Sequence, residues 1–304
     1  MREPIATVGS DSSAEAVLAP KARWTFTRLQ RRAFRQTRMK IGLAISLLLV
    51  GVALIGPFLA PHSPTEFVAG PFAHPSRAAL FGADNLGRDV LSRFLWGGRS
   101  LLGLAVLSTG LGLLIGVSVG LVAAYSRSVL DDVLMRGMDV LLAFPSIVLA
   151  LVAIATVGPK PWLLVVAVGI TTAPRVARVV RGAALEIVER DFVHAAQAIG
   201  ESRRRILFSE ILPNITSTLM VEISLRLTYS IGLIAGLSFL GFGLQPPAAD
   251  WGLMINENRQ GLTIQPWGVV MPVIAIAFLT ISTSLIGDAV ARATAGIEGA
   301  GESD

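Results

Sequence analysis

The side chains able to do chemistry in this sequence are few and widely scattered. Its 3 histidines, His62, His74 and His194, lie too far apart for a metal-ligand spacing, and Cys is 0, which removes thiolate ligands, thiol nucleophiles and disulfides. No G-x-x-x-x-G-K-[ST] run is present, so the sequence offers no P-loop for nucleotide hydrolysis. Two charge patterns remain. Glu222 and Arg226 stand four residues apart in an otherwise apolar run, a spacing that sets both on one helix face and permits mutual neutralisation. Residues 175–210 hold 7 basic groups interleaved with apolar ones. That composition suits a stiff segment pressed against a partner and equally an ordinary helical loop.

The elements that must position these residues follow from composition. The 304 residues are 53% hydrophobic and 15% charged, with a mean hydropathy of +0.65. Ordinary globular chains carry about 25% charge. Charge-free stretches at 41–60, 100–126, 140–159, 227–249 and 260–287 are long enough to cross a hydrocarbon core of about 30 Å. Open sheet edges do not survive in lipid, and no train of short alternating strands is visible, so the crossings are helices. The expected fold class is an all-α integral membrane protein, which excludes a soluble enzyme or nucleic-acid-binding domain despite the net charge of +5. Six spans are expected, at about Ile41–Ala60, Leu101–Tyr125, Val133–Val157, Trp162–Val180, Asn214–Ala235 and Trp267–Gly287. The run at 41–60 is too long and too late for a cleaved signal peptide and reads as a retained span.

Arginine and lysine set the orientation. Eighteen basic residues fall on the side of residues 1–40 and 175–210, which Arg127 and Arg292 join, against five at Arg77, Arg88, Arg93, Lys160 and Arg259. The excess puts both termini in the cytoplasm, as an even number of crossings requires. The basic segment at 1–40 mixes Trp24, Phe26, Leu29 and Phe34 with Arg23, Arg28, Arg31, Arg32 and Arg35. It reads either as an amphipathic helix on anionic lipid or a partner, or as a solvated topology signal.

Helical periodicity continues through 175–213. Leu185, Val188, Phe192 and Ala196 form one apolar stripe, and Ile206, Phe208 and Leu212 a second; Gly200 suits a turn between them and Pro213 a reset of the chain into span five. On the other side, Gly82–Asp89 is rich in turn and cap formers ahead of Val90, Leu91, Phe94, Leu95 and Trp96, a pattern expected to form a short interfacial helix before span two.

The stretch His194-Ala-Ala-Gln-Ala-Ile-Gly200, followed after nine residues by Glu210-Ile-Leu-Pro213, resembles the EAA loop of bacterial ABC importer permeases. Phe81-Gly-Ala-Asp-Asn-Leu-Gly-Arg-Asp89, Met138-Asp-Val-Leu-Leu-Ala-Phe-Pro145, Leu237-Ser-Phe-Leu-Gly-Phe-Gly-Leu-Gln-Pro-Pro247, Trp251-Gly252 and Gly287-Asp288 extend the resemblance, in order, to the C-type subunit of the dipeptide, oligopeptide and nickel permease family. Two departures stand out: His194 replaces the motif's opening acidic residue, and Glu210 replaces the histidine often found before Ile-Leu-Pro.

The resemblance implies a six-span ABC type I importer permease fold in the bacterial inner membrane. It implies a homologous B-type permease, two cytoplasmic ABC ATPases that use ATP and Mg2+, and an extracytoplasmic peptide-binding protein as partners, with no cofactor or metal held by this chain and no catalysis of its own. The implied layout is a basic segment at 1–40, a first span at 41–60, an external loop at 61–98, a core at 99–290 with a coupling loop at 183–213, and a tail at 291–304. ATPase coupling falls to Asp191, His194, Ala195, Ala196, Gly200, Glu210 and Pro213. Asp84, Arg88, Asp89, Phe239, Gln245 and Trp251 become candidates for a periplasmic gate or a contact with the binding protein, against the plainer reading of a fixed collar. Glu222 and Arg226 either flank the translocation path or make an ion pair to the B-type partner. The implied function is ATP-driven import of dipeptides or oligopeptides; import of nickel or another small solute, an ion-coupled secondary transporter and a membrane scaffold are the alternatives.

Overall fold

The computed structural model describes residues 32–126 and 128–301. The aromatic and basic residues Arg23, Trp24, Phe26, Arg28, Leu29 and Arg31, and Arg127 of the orientation argument, lie outside the described residues. Every regular element among the described residues is helical: α1 (Thr37–Leu59), α2 (Val90–Ser126), α3 (Val129–Ala143), α4 (Ser146–Val157), α5 (Pro161–Val188) and α6 (Asp191–Ala198) come first. A helical run over 203–214, α7, is built of Arg203–Arg205, the π-helical Ile206–Ile211 and Leu212–Asn214. α8 (Thr216–Phe239), the short α9 (Trp251–Asn258) and α10 (Trp267–Gly301) complete the chain.

Five of these helices are long and apolar enough to cross a membrane, and α3 with α4 makes a sixth candidate span bent by 84°. The chain is therefore a multi-pass membrane protein. Its outer face agrees: Leu47, Leu48, Leu54, Ile55 and Phe58 of α1 are exposed, the last at 86%, an arrangement that only hydrocarbon or a partner would accept.

Three expectations change. The third span is broken at Phe144, which adopts φ −94°, ψ 137° ahead of Pro145, whose ring disfavours the helical region for the residue before it. The interfacial helix before span two is not a separate element; it is the first part of the 37-residue α2. Asp89 caps that start, its Oδ2 accepting from the Ser92 N–H at 3.0 Å and from the Ser92 hydroxyl at 2.6 Å. The single apolar stripe from Leu185 to Ala196 is also divided, since Leu185 and Val188 close α5 whereas Phe192 and Ala196 belong to α6.

The best-packed pair is α2 with α5, which run parallel. Gly112, Gly116 and Gly120 repeat at four-residue intervals down one face of α2, where α5 approaches closely. A Cβ at these positions would come within 2.0 Å of Thr172 Oγ1, 2.5 Å of Val176 Cβ and 2.6 Å of the Ala177 carbonyl oxygen, respectively. Small residues at i, i+4 are how helices meet where lipid supplies no hydrophobic drive between them. Below the glycines the seam continues as a core of Leu121, Ala124, Val176, Val180, Ala184 and Val188. Hydroxyl pairs join the other helices at mid-depth: Thr109 to Ser230 at 3.0 Å, Thr228 to Thr283 at 2.8 Å and Ser46 to Ser282 at 2.8 Å.

Candidate functional site

The arrangement at the end of the α2–α5 pair follows from which residues of α6 and α7 are apolar on the inside. Val193 is the one residue of α6 fully withdrawn from solvent, and it joins Ile206, Ile211 and Ile215 in the core that also holds Leu121 and Val188. The opposite face of α6 is left open. Asp191, Phe192, His194, Ala195, Gln197 and Ala198 are exposed, Ala196 is half-buried, and Ile199 beyond the helix is 77% exposed. Apolar Phe192 and Ile199 are thus exposed beside two alanines. Gly200 ends the helix at φ +82°, a left-handed conformation that costs a side chain steric strain, with nothing within 4 Å of the space a Cβ would fill. Asp191 sits in the first turn of α6, where a negative charge suits the helix dipole. Glu210 and Pro213 are half-buried in α7, away from the exposed face of α6. A cleft of about 580 Å³ opens between the foot of α2 and these helices, with Tyr125, Gln197, Arg203 and Leu207 on its walls.

A second cluster forms at the far end of the molecule. The left-handed Gly87 (φ +88°) lets its loop turn back so tightly that a Cβ there would be 2.2 Å from the Ala69 carbonyl oxygen. That turn aims Arg88 inward. Arg88 Nε donates to Asp84 Oδ2 at 2.6 Å and Arg88 Nη2 to Glu257 Oε2 at 3.0 Å. Arg93, on the first turn of α2, lies 3.3 Å from Asp84 Oδ2 and donates to Glu257 Oε2 at 2.7 Å. Its other N–H groups donate to the carbonyls of Pro64 and Ala248 at 3.3 and 3.4 Å. Two guanidinium groups and two carboxylates thus tie the loop before α2 to α9. Asn258 adds a further link by accepting from the Asn85 N–H at 3.0 Å. Trp251 fills the space behind the cluster, stacked on Phe94 at 5.3 Å and donating its indole N–H to the Phe94 carbonyl at 2.9 Å. Asp250 caps α9 through the Leu253 N–H at 3.1 Å, and its complete burial holds its pKa above the ordinary carboxylate value.

The residues of the expected external set differ in exposure. Asp84, Arg88, Asp89 and Trp251 are buried, at 0, 3, 2 and 0% exposure, so within this chain they have no surface to offer a docked protein. Asp84 and Arg88 lie within the ionic cluster, Asp89 caps α2 and Trp251 packs behind them. Phe239 and Gln245 are exposed, and Gln245 Nε2 donates to the carbonyls of Gly241 and Gly243, fixing the loop that carries them.

Within the membrane-spanning helices, Arg226 Nε lies 3.0 Å from Glu222 Oε2, so the pair neutralises itself along α8. Two further ion pairs went unforeseen. Arg181 of α5 makes a two-pronged contact with Asp131 of α3 at 2.6 Å on each prong, and Arg178 pairs with Asp139. Arg175, on the same helix, instead places its guanidinium 5.1 Å from the centre of the Tyr229 ring of α8. The glycine repeat, Arg93, Glu257 and Asp250 were also missed. Of these the repeat and Asp250, an N-cap three residues before its partner Leu253, act locally, whereas Arg93 and Glu257 meet across 164 residues.

Residues 112–296 match the family model described as binding-protein-dependent transport system inner membrane component, and residues 25–75 match that described as the N-terminal TM domain of oligopeptide transport permease C. The glutathione transport system permease protein GsiD of Pectobacterium atrosepticum is 38% identical over 261 residues, covering 85% of this chain and 86% of that protein. Its namesake in Escherichia coli is 37% identical over 260 residues, covering 84% of this chain and 86% of that protein. Among solved structures, an inward-facing conformation of the MetNI methionine ABC transporter aligns with a TM-score of 0.51 at 21% identity, over 65% of this chain and 96% of that one. At that identity the likeness speaks for the fold alone.

Proposed function

The chain belongs to the family of binding-protein-dependent transport system inner membrane components, and from that premise we propose that it is a permease subunit of an ATP-driven importer of short peptides. In this reading it is a six-span type I importer permease of the bacterial inner membrane, with α3 and α4 forming one bent crossing and both termini cytoplasmic. It pairs with a B-type permease, stands on two ATPases that use ATP and Mg2+, and receives cargo from an extracytoplasmic binding protein. The names of its relatives, concerned with glutathione and oligopeptides, favour peptides over nickel as cargo.

The observation that carries the reading is α6. It is anchored at the foot of the α2–α5 pair by Val193, with Ala196 against the same core, and turns Phe192, Ala195 and Ile199 outward. A short stiff helix with an apolar outer face can fill a cleft on an ATPase and pass its displacement to the spans above. ATP-driven closure of the ATPases would then bias the spans between inward-open and outward-open packing, and hydrolysis would reset them. Asp191, His194, Ala195 and Ala196 supply the contact surface, Gly200 its end, and Glu210 and Pro213 the return to the membrane. At the other face Phe239 and Gln245 are the residues placed to meet the binding protein or its cargo. The Glu222–Arg226 pair acts as an internally balanced charge of the path wall.

The test is Gly200→Pro in the assembled complex. Proline holds φ near −65°, which the +82° of this turn forbids, so α6 must reorient. Peptide uptake and peptide-stimulated ATPase activity should both fall, with insertion and copurification of the four-subunit core retained. Normal stimulated ATPase and uptake in such a complex would remove α6 from the coupling route.

A further inference from the structure

Three arginines follow one another along the inner half of α5 at 175, 178 and 181, and two of them find a carboxylate. Arg181 grips Asp131 and Arg178 pairs with Asp139. Arg226, on the facing α8, has Glu222. Among the described residues Arg175 has no carboxylate within ion-pair distance; its recorded partner is the face of the Tyr229 ring, 5.1 Å away. Arg175 lies fourteen residues inward from Pro161, about 21 Å along α5, and Tyr229 thirteen residues from Thr216, about 20 Å along α8. Counted from the nearer ends, Arg175 is thirteen residues from Val188, about 20 Å, and Tyr229 ten from Phe239, about 15 Å, so both lie well within the membrane.

An unpaired guanidinium at such depth is costly and is rarely kept without a function. The geometry here also leaves it usable. A ring stacked on one face of the guanidinium plane holds the group in place but leaves its N–H donors around the edge unengaged. That edge is the fork that grips a carboxylate in two parallel hydrogen bonds. Beyond the ring, one face of α8 carries small residues. Gly232 and Gly236 follow Tyr229 at helical spacing with nothing within 4 Å of the space a Cβ would occupy, and the row ends at exposed Phe239 beside the external loop.

We propose that Arg175 and Tyr229 form a carboxylate-binding station within the membrane, one that selects for a free carboxylate on the peptide passing through. Arg175 is the specificity-determining residue and Tyr229 its positioning residue. This inference rests on the peptide-import reading above and adds to it the chemical group recognised inside the membrane.

The experiment is uptake into proteoliposomes holding the complete complex, with the binding protein and ATP, of one tripeptide as its free acid and as its C-terminal amide. Wild type, Arg175→Gln, Arg175→Lys and Tyr229→Leu are compared, and subunit copurification is followed for each. The ratio of kcat/KM for acid over amide should fall at least about tenfold in Arg175→Gln, as expected for loss of a hydrogen bond to a charged group. It should fall less in Arg175→Lys, which keeps the charge without the fork, and part-way in Tyr229→Leu, which lets the guanidinium swing. Equal losses for acid and amide, an unchanged ratio, or loss of the B-type subunit from the Arg175 variants would overturn the proposal; the last would make Arg175 an ion-pair partner of that subunit. A wild-type complex that takes up neither peptide with ATP would instead refute peptide import itself.

Discussion

Alanine at Gly116 puts the smallest possible load on the α2–α5 seam. A Cβ there would sit 2.5 Å from Val176 Cβ, 2.7 Å from the Ala173 carbonyl oxygen and 2.7 Å from Val176 Cγ1. Carbon atoms pack best at about 3.5–4.0 Å, so the helices must part by about 1 Å over this turn. One of the obstructing atoms is backbone, which no rotamer change can move aside. Parting by that amount weakens the flanking contacts at Gly112 and Gly120 as well, since one rigid pair of helices carries all three. Overpacking of this kind costs about 1–3 kcal/mol. Gly103 and Gly110 of the same helix are the internal controls, because nothing lies within 4 Å of the Cβ that alanine would add. Alanine there should be neutral or slightly stabilising, because alanine favours the helix more than glycine. Thermal unfolding of the purified protein in detergent, followed by loss of the monodisperse peak, should rank Gly116→Ala clearly below wild type and the two controls at or above it. Equal midpoints for Gly116→Ala and Gly110→Ala would mean that the seam does not limit stability and that the close approach is incidental.

Arg93→Met leaves Arg88 alone to balance Asp84 and Glu257 in a buried site, and removing one member of a buried ionic cluster costs about 3–5 kcal/mol. Limited proteolysis should then cut the loop at 61–89, which the wild-type collar protects, and Glu257→Gln added to Arg93→Met should recover part of the loss; an unchanged digestion pattern would deny the collar its role. Asp250 titrates above the ordinary carboxylate range because it is buried, so its contribution to stability is greatest below the unfolded carboxylate pKa and is lost as pH rises through its raised folded value. Asp250→Asn keeps an N-cap acceptor and carries no charge to bury. It should therefore unfold at a higher temperature than wild type at pH 8 and lose that advantage near pH 4; a difference that does not change with pH would contradict the burial argument.

What the sequence reveals and what it hides divide along physical lines. Spans are legible because lipid requires some twenty apolar residues in succession, and a run such as 41–60 has few other uses. Gly200 is legible because a glycine between two helical stripes has a conformational reason to be there. The break at Phe144–Pro145 is present in the letters, yet hydropathy averages across it, and only attention to the residue before proline exposes it. The collar is harder. Asp84, Arg88 and Asp89 stand out as polar residues in a loop, and loops are by default surface, so they read as contacts for a partner. Their burial depends on Arg93 and Glu257, and nothing local to either end of that 164-residue separation announces the pairing. The ion pair between Asp131 and Arg181 is hidden for the same reason.

The α2–α5 pair determines how far a displacement at either end can travel. Its inner end is continuous with Val193 of α6 through Leu121, Val180 and Val188, all in one packed core. Its outer end is clamped by Arg93 to α9, and Gly97 and Gly98 are so close to Trp251 that a Cβ would fall within 3.0 and 2.6 Å of the indole. Between these ends the glycine seam leaves the two helices no slack to slide past each other. A push on α6 is therefore delivered to α2 and α5 together, and through α2 to the collar. The joints elsewhere are softer. α8 meets α2 through the Thr109–Ser230 hydroxyl contact and an apolar core that holds Leu101, Leu104, Ile231 and Ile234, a joint of side chains without the glycine-lined close approach of the α2–α5 seam. α3 and α4 meet at the break before Pro145, and two exposed or half-exposed ion pairs tie α3 to α5. The expected motion is then of α2, α5 and α6 as one body against α8 and α10. Arg175 and Tyr229 lie on opposite sides of that boundary, so the motion that opens the path also moves the guanidinium off its ring. Spin labels on α2 and α5 should hold a constant separation through the ATP cycle, while labels on α5 and α8 near Arg175 and Tyr229 should not. A constant α5–α8 separation in a turning-over complex would defeat this division of the molecule.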